Sequence, residues 1–439
     1  MAVCIVVRIL PNKIEGCMDR AQQRSAWAWV PSISFSQAVP YVAVMMLSTV
    51  MYKNLGVSNN DLAFYTSWLY LPWVIKPLWS PIVELFGTKR RWIVLLQLLT
   101  GAALASVALT LHLPEFFRMS LALLWLMAFS SATHDIASDG YYMLGLPTQY
   151  QQAAFVGVRS AFYKLAMIAG QGGLVYLAGK LATSSGDPAW AWSVVFCVMA
   201  ALMLALSAYH QLILPRPDSD RSHAGGDALW KDFLRTFHSF FQKPGIKATL
   251  GFLLLYRLGE AQLLKMAAPF LLDPRAQGGL GLSTETFGVV YGTVGVCALV
   301  LGGLAGGVVI SRFGLKRSLW PMVFIMHVPD LVFVYLATAL PTSTVLISAC
   351  LAVEQFGYGF GFAAFMLYMV LVADGEHKTA HYAICTGFMA LGMMLPGMVS
   401  GWIQQHLGYQ HFFIWACIST LPAFAMTALV RIDAEFGKK

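Results

Sequence analysis

Apolar stretches long enough to cross a bilayer follow one another through almost the whole of this 439-residue chain. Twelve are read, at roughly 27–50, 61–84, 92–113, 118–144, 152–181, 189–213, 247–272, 285–311, 318–340, 343–373, 379–404 and 410–431. A hydrocarbon core about 30 Å thick needs about 20 apolar residues in helical form. Lipid offers the backbone no hydrogen-bond partner, so only helices and closed barrels span it. Uninterrupted runs of this length select the helix. The expected fold is therefore all-α and integral to the membrane. Charged residues make up 11% of the chain, against about 25% in soluble domains.

Between the sixth and seventh stretches lies the one long polar segment, Pro215–Lys243, which ends in the amphipathic run LWKDFLRTFHSFF. It divides the chain six plus six. The expected organisation is a tail over 1–25, a first half over 26–214, a central loop over 215–244, a second half over 245–432 and a tail over 433–439. Met1–Leu10 is apolar but short, carries Arg8 and precedes Pro11, with no small-residue cleavage site after it. A signal peptide is not expected, and Met18 is an alternative start.

Charge sets the orientation. With the N-terminus inside, twenty Lys and Arg fall on inside segments and four (Lys53, Arg118, Lys180, Arg275) on outside ones. The positive-inside rule then places both termini in the cytoplasm. It also accounts for the net charge of +8 without a nucleic-acid partner. The seven cysteines are scattered and fit neither a metal site nor a disulfide framework.

Phe86-Gly87-Thr88-Lys89-Arg90 after the second span resembles Phe313-Gly314-Leu315-Lys316-Arg317 after the eighth. The two stand at equivalent loops of the halves, which indicates an internal duplication. A parallel repeat of six helices resembles the plan of the major facilitator superfamily.

Charges inside the spans mark function, because each costs roughly 2.5–3.5 kcal/mol at bilayer depth. Asp135 and Asp139 are four apart and share one helical face. Arg159 and Lys164 in the next span reach matching depths, so an ion pair with either acid is expected. Such a pair is either a proton or solute relay or a fixed strut. His134 points away and reads as packing. In Tyr256-Arg257-Leu258-Gly259-Glu260, Arg257 and Glu260 stand three apart and are expected to pair near the midplane, with Lys265 beyond. Glu354, followed by Gln355 and Gly357, Gly359 and Gly361, is a lone deep acid and a proton-coupling candidate. Asp330, after Pro329 and one turn past His327, is a secondary candidate. Lys76, Pro77 and Glu84, with Lys89 and Arg90 and their counterparts Lys316 and Arg317, form an expected cytoplasmic gate. The prolines kink a helix end, and the bases can dock on an acid or a helix C-terminus. Trp27, Trp29, Trp68, Tyr70, Trp73, Trp190, Trp192 and Trp415 read mainly as interfacial anchors. No Walker A or zinc signature is present, so neither a cofactor nor a metal is expected.

Three segments, Lys76–Pro81, Ser131–Asp139 and Tyr256–Glu260 continuing through Ala268-Pro269-Phe270-Leu271-Leu272-Asp273, resemble the AmpG-type muropeptide permeases. That branch of the major facilitator superfamily also holds acetyl-CoA transporters. The resemblance implies a monomeric secondary transporter in the bacterial inner membrane that imports anhydro-muropeptides with protons for cell-wall recycling. Its partners would be a small solute such as a sugar-peptide, the proton and the lipid bilayer. Two departures stand out: Val83-Glu84-Leu85-Phe86 occupies the place of the branch's Asp-Arg pair, and Glu260 stands where Asp is common. A siderophore or metabolite permease and a drug exporter on the same fold remain open. An enzyme is disfavoured, since no nucleophile or paired surface acid is found.

Overall fold

The computed structural model describes residues 20–146, 148–217, 220, 226–375, 377–433 and 436–437. The first nineteen residues, with the alternative start at Met18, lie outside them. We number the spans α1 (Ala26–Asn54), α2 (Asn59–Trp68 and Leu71–Leu85), α3 (Lys89–Thr110), α4 (Phe116–Gly145), α5 (149–185), α6 (Pro188–Ile213), α7 (Ile246–Leu255 and Leu258–Leu272), α8 (Thr284–Phe313), α9 (Leu315–Ala339), α10 (Thr344–Ala373), α11 (378–407) and α12 (409–429). Helix Gly226–Phe241 occupies the central loop. Nine described segments are long and apolar enough to cross a membrane. The segment Lys378–Leu429 holds two crossings, parted by the left-handed Gly408 (φ 71°). The broken helices α2 and α7 complete the twelve.

Some of the irregularities follow the sequence. α2 is interrupted at Leu69-Tyr70, just before Pro72, and Pro40 precedes a π-helical turn at Ala43–Leu47 in α1. A missing N–H and a clashing ring loosen the ladder there. Gly-rich π turns occur at Ala169–Leu174 in α5 and Gly288–Gly295 in α8. These two turns face each other across the halves: a Cβ on Gly292 would overlap the Gln171 carbonyl, and one on Gly172 would overlap Thr293. The Gly302–Gly307 patch likewise packs helix on helix, because a Cβ on Gly302 would overlap the Phe356 carbonyl of α10.

Packing differs between the two ends of the molecule. At the end opposite the termini a single apolar core runs through both halves, from Val42 and Leu104 to Phe270 and Phe413. At the terminal end the core splits. One cluster around Trp29, Ile93 and Tyr141 belongs to the first half, and another around Phe252, Met322 and Phe365 belongs to the second. The apolar core is thus shared at one end and divided at the other, as a wedge that opens towards the termini and across which α2 and α11 still touch, a Cβ on Gly387 lying 2.7 Å from the Val74 carbonyl.

The repeated loops share a positive φ at one glycine, but the next helix starts at Lys89 in the first copy and at Leu315 in the second. Gly87 (φ 75°) and Gly314 (φ 77°) both lie in the left-handed region of φ that glycine enters at least cost. Their partners have diverged. Asp220 accepts from the N–H groups of Lys89 (2.8 Å) and Arg90 (3.1 Å), an acid placed at a helix N-terminus. In the second copy the Leu315 N–H donates to the Phe436 carbonyl.

Candidate functional site

Two acid constellations lie in the two halves. In the first half, Asp139 of α4 pairs with Arg159 of α5 at 2.5 Å. Gln37 of α1 bridges them, donating to Asp139 (3.4 Å) and accepting from Arg159 (3.3 Å). The Arg159 guanidinium lies 4.5 Å from the centre of the Tyr142 ring. One turn deeper, Asp135 accepts from Trp73 Nε1 (3.2 Å) and faces Lys76 Nζ at 4.0 Å. The Asp139 side chain is 50% exposed, so the mouth of the wedge reaches it.

Lys164 departs from expectation. Its Nζ lies 3.9 Å from Met167 Sδ, and no carboxylate lies within ion-pair distance of it among the described residues. It stands five residues beyond Arg159, more than one helical turn, and so meets a different neighbour. His134 packs as expected: it is buried beside Gln97, which also meets His210 and Ser36, tying α1, α3, α4 and α6 together.

The second half holds the other constellation. Arg257 does not pair with Glu260. The chain leaves helical geometry at Arg257 (φ −111°, ψ 18°) and α7 restarts at Leu258, so the one-face relation assumed from the spacing is lost. Arg257 instead donates to the Tyr358 hydroxyl and lies against the Tyr358 and Phe362 rings. Glu260 turns inward, and its carboxylate gathers with those of Asp330 and Glu354, all within 4.8 Å of one another. Glu354 therefore has acids for neighbours, with one oxygen accepting from Gln355 (2.9 Å). Gly259 allows a close approach: a Cβ there would lie 2.6 Å from the Ala416 carbonyl of α12.

The residues assigned to a gate are dispersed. Lys76 faces Asp135 inside the membrane, well away from the loop. Pro77 packs near Gly387 of α11. Lys89 and Arg90 are buried with the central loop and the end of α6, where Arg90 Nε donates to the Leu214 carbonyl (3.2 Å). Lys316 and Arg317 are exposed. Glu84 belongs to α2, but its side chain lies outside the described residues.

The halves are locked at the end opposite the termini. Lys53 pairs with Asp273 (2.5 Å) and donates to Asn59 (2.7 Å). Asn59 in turn donates to Asp273, Gln404 and the Tyr409 hydroxyl. Near this seal is a cavity of about 70 Å³ lined by Thr49, Tyr70, Gln171, Lys265 and Tyr291. Lys265 donates to Thr66 Oγ1 at 3.0 Å.

Several aromatics are not anchors. Trp29 and Trp192 are fully buried, Trp73 binds Asp135, and Tyr70 lines the cavity. Trp27, Trp190 and Trp415 are exposed as anchors would be. Gln37, Tyr142 and Tyr358 join the constellations with no charge to mark them in the sequence.

Comparison with known proteins agrees with this architecture. The anhydromuropeptide permease of Escherichia coli K12 is 24% identical over 426 residues, spanning 95% of this chain and 82% of that protein. The nucleoside transporter NupG superposes with a TM-score of 0.63 at 17% identity, covering 92% of this chain and 98% of that one. The D-xylose-proton symporter gives 0.64 at 15% identity, over 94% and 98%. Residues 32–328 match the family model of the Major Facilitator Superfamily, and with twelve helices in two halves around a polar wedge the chain belongs to that superfamily of membrane transporters.

Proposed function

We propose that this protein imports anhydro-muropeptides across the bacterial inner membrane, driven by protons, for cell-wall recycling. The likeness to the Escherichia coli permease along 95% of the chain carries the substrate class. A sugar-peptide presents hydroxyls, amides and carboxylates. Lys76, Arg257 and Lys265 suit its acids, and Trp73 and Tyr358 offer ring faces to its sugars.

Proton coupling is assigned to Asp139 and Arg159, with Asp135 and Lys76 one turn deeper. Protonation of Asp139 removes the charge that holds Arg159 and so biases one access state over the other. In this reading both termini are cytoplasmic, the wedge faces the cytoplasm and the Lys53–Asp273 network closes the outer side. Lys53 and Asn59 bridge the halves there to Asp273, Gln404 and Tyr409, so that outer region parts before a solute enters. The protein works as a monomer, with its halves rocking about the midplane. Lys89 and Arg90, with their counterparts Lys316 and Arg317, govern the cytoplasmic opening.

The test is uptake of labelled anhydro-muropeptide into right-side-out and inverted vesicles, with and without a protonophore. Uptake into right-side-out vesicles that collapses with the protonophore is expected. Undiminished uptake under protonophore refutes the coupling, and absence of uptake in both orientations refutes the substrate.

A further inference from the structure

Glu260, Asp330 and Glu354 come from three helices whose irregularities bring them together. α7 is interrupted at Arg257, and α9 tightens into a 3-10 turn at Val328–Asp330 around Pro329. α10 approaches that turn closely: a Cβ on Gly357 would overlap the Ile325 carbonyl and lie 3.0 Å from Pro329 Cγ. By residue count all three acids stand far inside their spans, in the part of the bilayer where discontinuous helices of transporters hold coupling ions.

The electrostatics of this cluster are unbalanced. The three residues are at most 1% exposed. Both oxygens of Glu260, both of Asp330 and Oε1 of Glu354 have no hydrogen-bond partner among the described residues. No Lys or Arg there lies within ion-pair distance of them. Arg257 is committed to Tyr358 and Phe362. Desolvating even one carboxylate costs several kcal/mol, so three together need a counter-charge or protons.

A second observation points the same way. The His327 side chain is 1% exposed, its Nδ1 lies 3.6 Å from Asp330 Oδ2, and neither ring nitrogen has a hydrogen-bond partner among the described residues. It is a buried ligand group whose Nδ1 faces the acid cluster. Hard cations such as calcium take oxygens at about 2.3–2.6 Å, so ligand atoms around one ion lie up to about 5 Å apart. The 4.8 Å span of the triad fits one such ion.

We propose that Glu260, Asp330 and Glu354 form a buried site for one small hard cation, sodium or a divalent ion, with His327 beside it. A divalent ion would offset two of the three carboxylate charges and leave one for a proton. Sodium would leave charge for protons to neutralise. The site is separate from the Asp139–Arg159 pair and does not depend on which solute is carried.

Full-length protein in lipid nanodiscs is melted in choline chloride, then with sodium, calcium or manganese chloride at matched ionic strength and fixed pH. At least one ion is expected to raise Tm in a saturable way, as binding to the native state alone must. A response to sodium only, or to the divalent ions only, identifies the cation. Glu354→Gln and Asp330→Asn should each abolish the rise, and the exposed control Asp187→Asn should retain it. If those variants fail to fold, saturable binding of radioactive sodium or calcium to the unaltered protein decides. A Tm that responds to pH but to no ion, with no saturable isotope binding, overturns the proposal. So does a rise that survives both substitutions. No muropeptide enters the assay, so its failure leaves the uptake reading standing, and failed uptake leaves this site standing.

Discussion

Asp139 is half exposed and 2.5 Å from a guanidinium, whereas Glu354 is fully buried among carboxylates. The two lie on helices of comparable length in equivalent halves of a duplicated fold, so the difference is one of partners rather than depth alone. In the first half each acid has a base: Arg159 for Asp139 and Lys76 for Asp135. Such pairs can open and close as water and solute enter. In the second half the acids face one another, and the nearby base is occupied elsewhere. Asp273 is an intermediate case, buried at 6% exposure but paired with Lys53. Exposed and paired, buried and paired, and buried and unpaired carboxylates should respond to substitution differently.

The largest effect is expected on coupling. Asp139→Asn keeps shape but cannot release a proton, so gradient-driven accumulation should fall by about tenfold or more, since about 1.4 kcal/mol of lost state preference is already a factor of ten. Uptake into energised right-side-out vesicles checks this. Downhill exchange should persist, because the solute pathway is untouched. If Asp139→Asn accumulates solute normally while Glu260→Gln does not, coupling resides in the second half and the contrast between the constellations is inverted.

Next comes the intermediate acid. Lys53→Ala leaves Asp273 buried without its base, and breaking a buried pair costs about 3–5 kcal/mol. Thermal unfolding in nanodiscs should show a large drop, and Asp273→Asn in the same chain should recover much of it. A loss as small as that of a surface pair would mean that water reaches Asp273 through a seal that opens readily.

The fold was legible because it rests on length and hydropathy, which leave little choice in lipid. The twelve spans fall within a few residues of the helices, and the two glycines of the repeated loop both take a positive φ. The Asp139–Arg159 pair was legible for the same reason: helical rise fixed both depths. The second constellation was not. Arg257 and Glu260 read as a pair only while α7 is taken as continuous, and nothing in Tyr256-Arg257-Leu258 announces the break. The approach of Asp330 to Glu354 depends on Pro329 and Gly357 meeting across two helices, a tertiary event that neither residue signals alone. Lys76 read as part of the cytoplasmic gate because it stands close to a basic loop in sequence, yet much of a helical segment separates it from that loop.

A pair of glycines sharpens the comparison further. Gly357→Ala should destabilise by about 1–3 kcal/mol, since an added methyl forces helices apart in a close-packed region, and it should also weaken any ion-dependent rise in Tm by moving Glu354 from Asp330. At Gly157 in α5 an added Cβ would have no neighbour within 4 Å. Gly157→Ala should leave Tm unchanged or raise stability by up to about 1 kcal/mol, through helix propensity alone. Equal responses at the two positions would mean that the contact between α9 and α10 yields easily, and the acid cluster would then lack the rigid frame a cation site needs.

The smallest expected effect separates a switch from a strut. Asp139→Asn should change thermal stability by only about 0–1 kcal/mol, the range for ion pairs open to water, while abolishing coupling. A fixed strut would give the reverse: a clear loss of stability with accumulation intact, because its contribution is the same in every state of the cycle. A contact that contributes little to the fold yet decides transport must instead contribute unequally to the two access states. Gln37 gives this a structural basis. It holds both partners by hydrogen bonds, so the pair can part without leaving either side chain wholly unbound. Gln37→Ala should therefore slow uptake without removing its dependence on the proton gradient, and measuring the two quantities together distinguishes a residue that eases the switch from one that carries it.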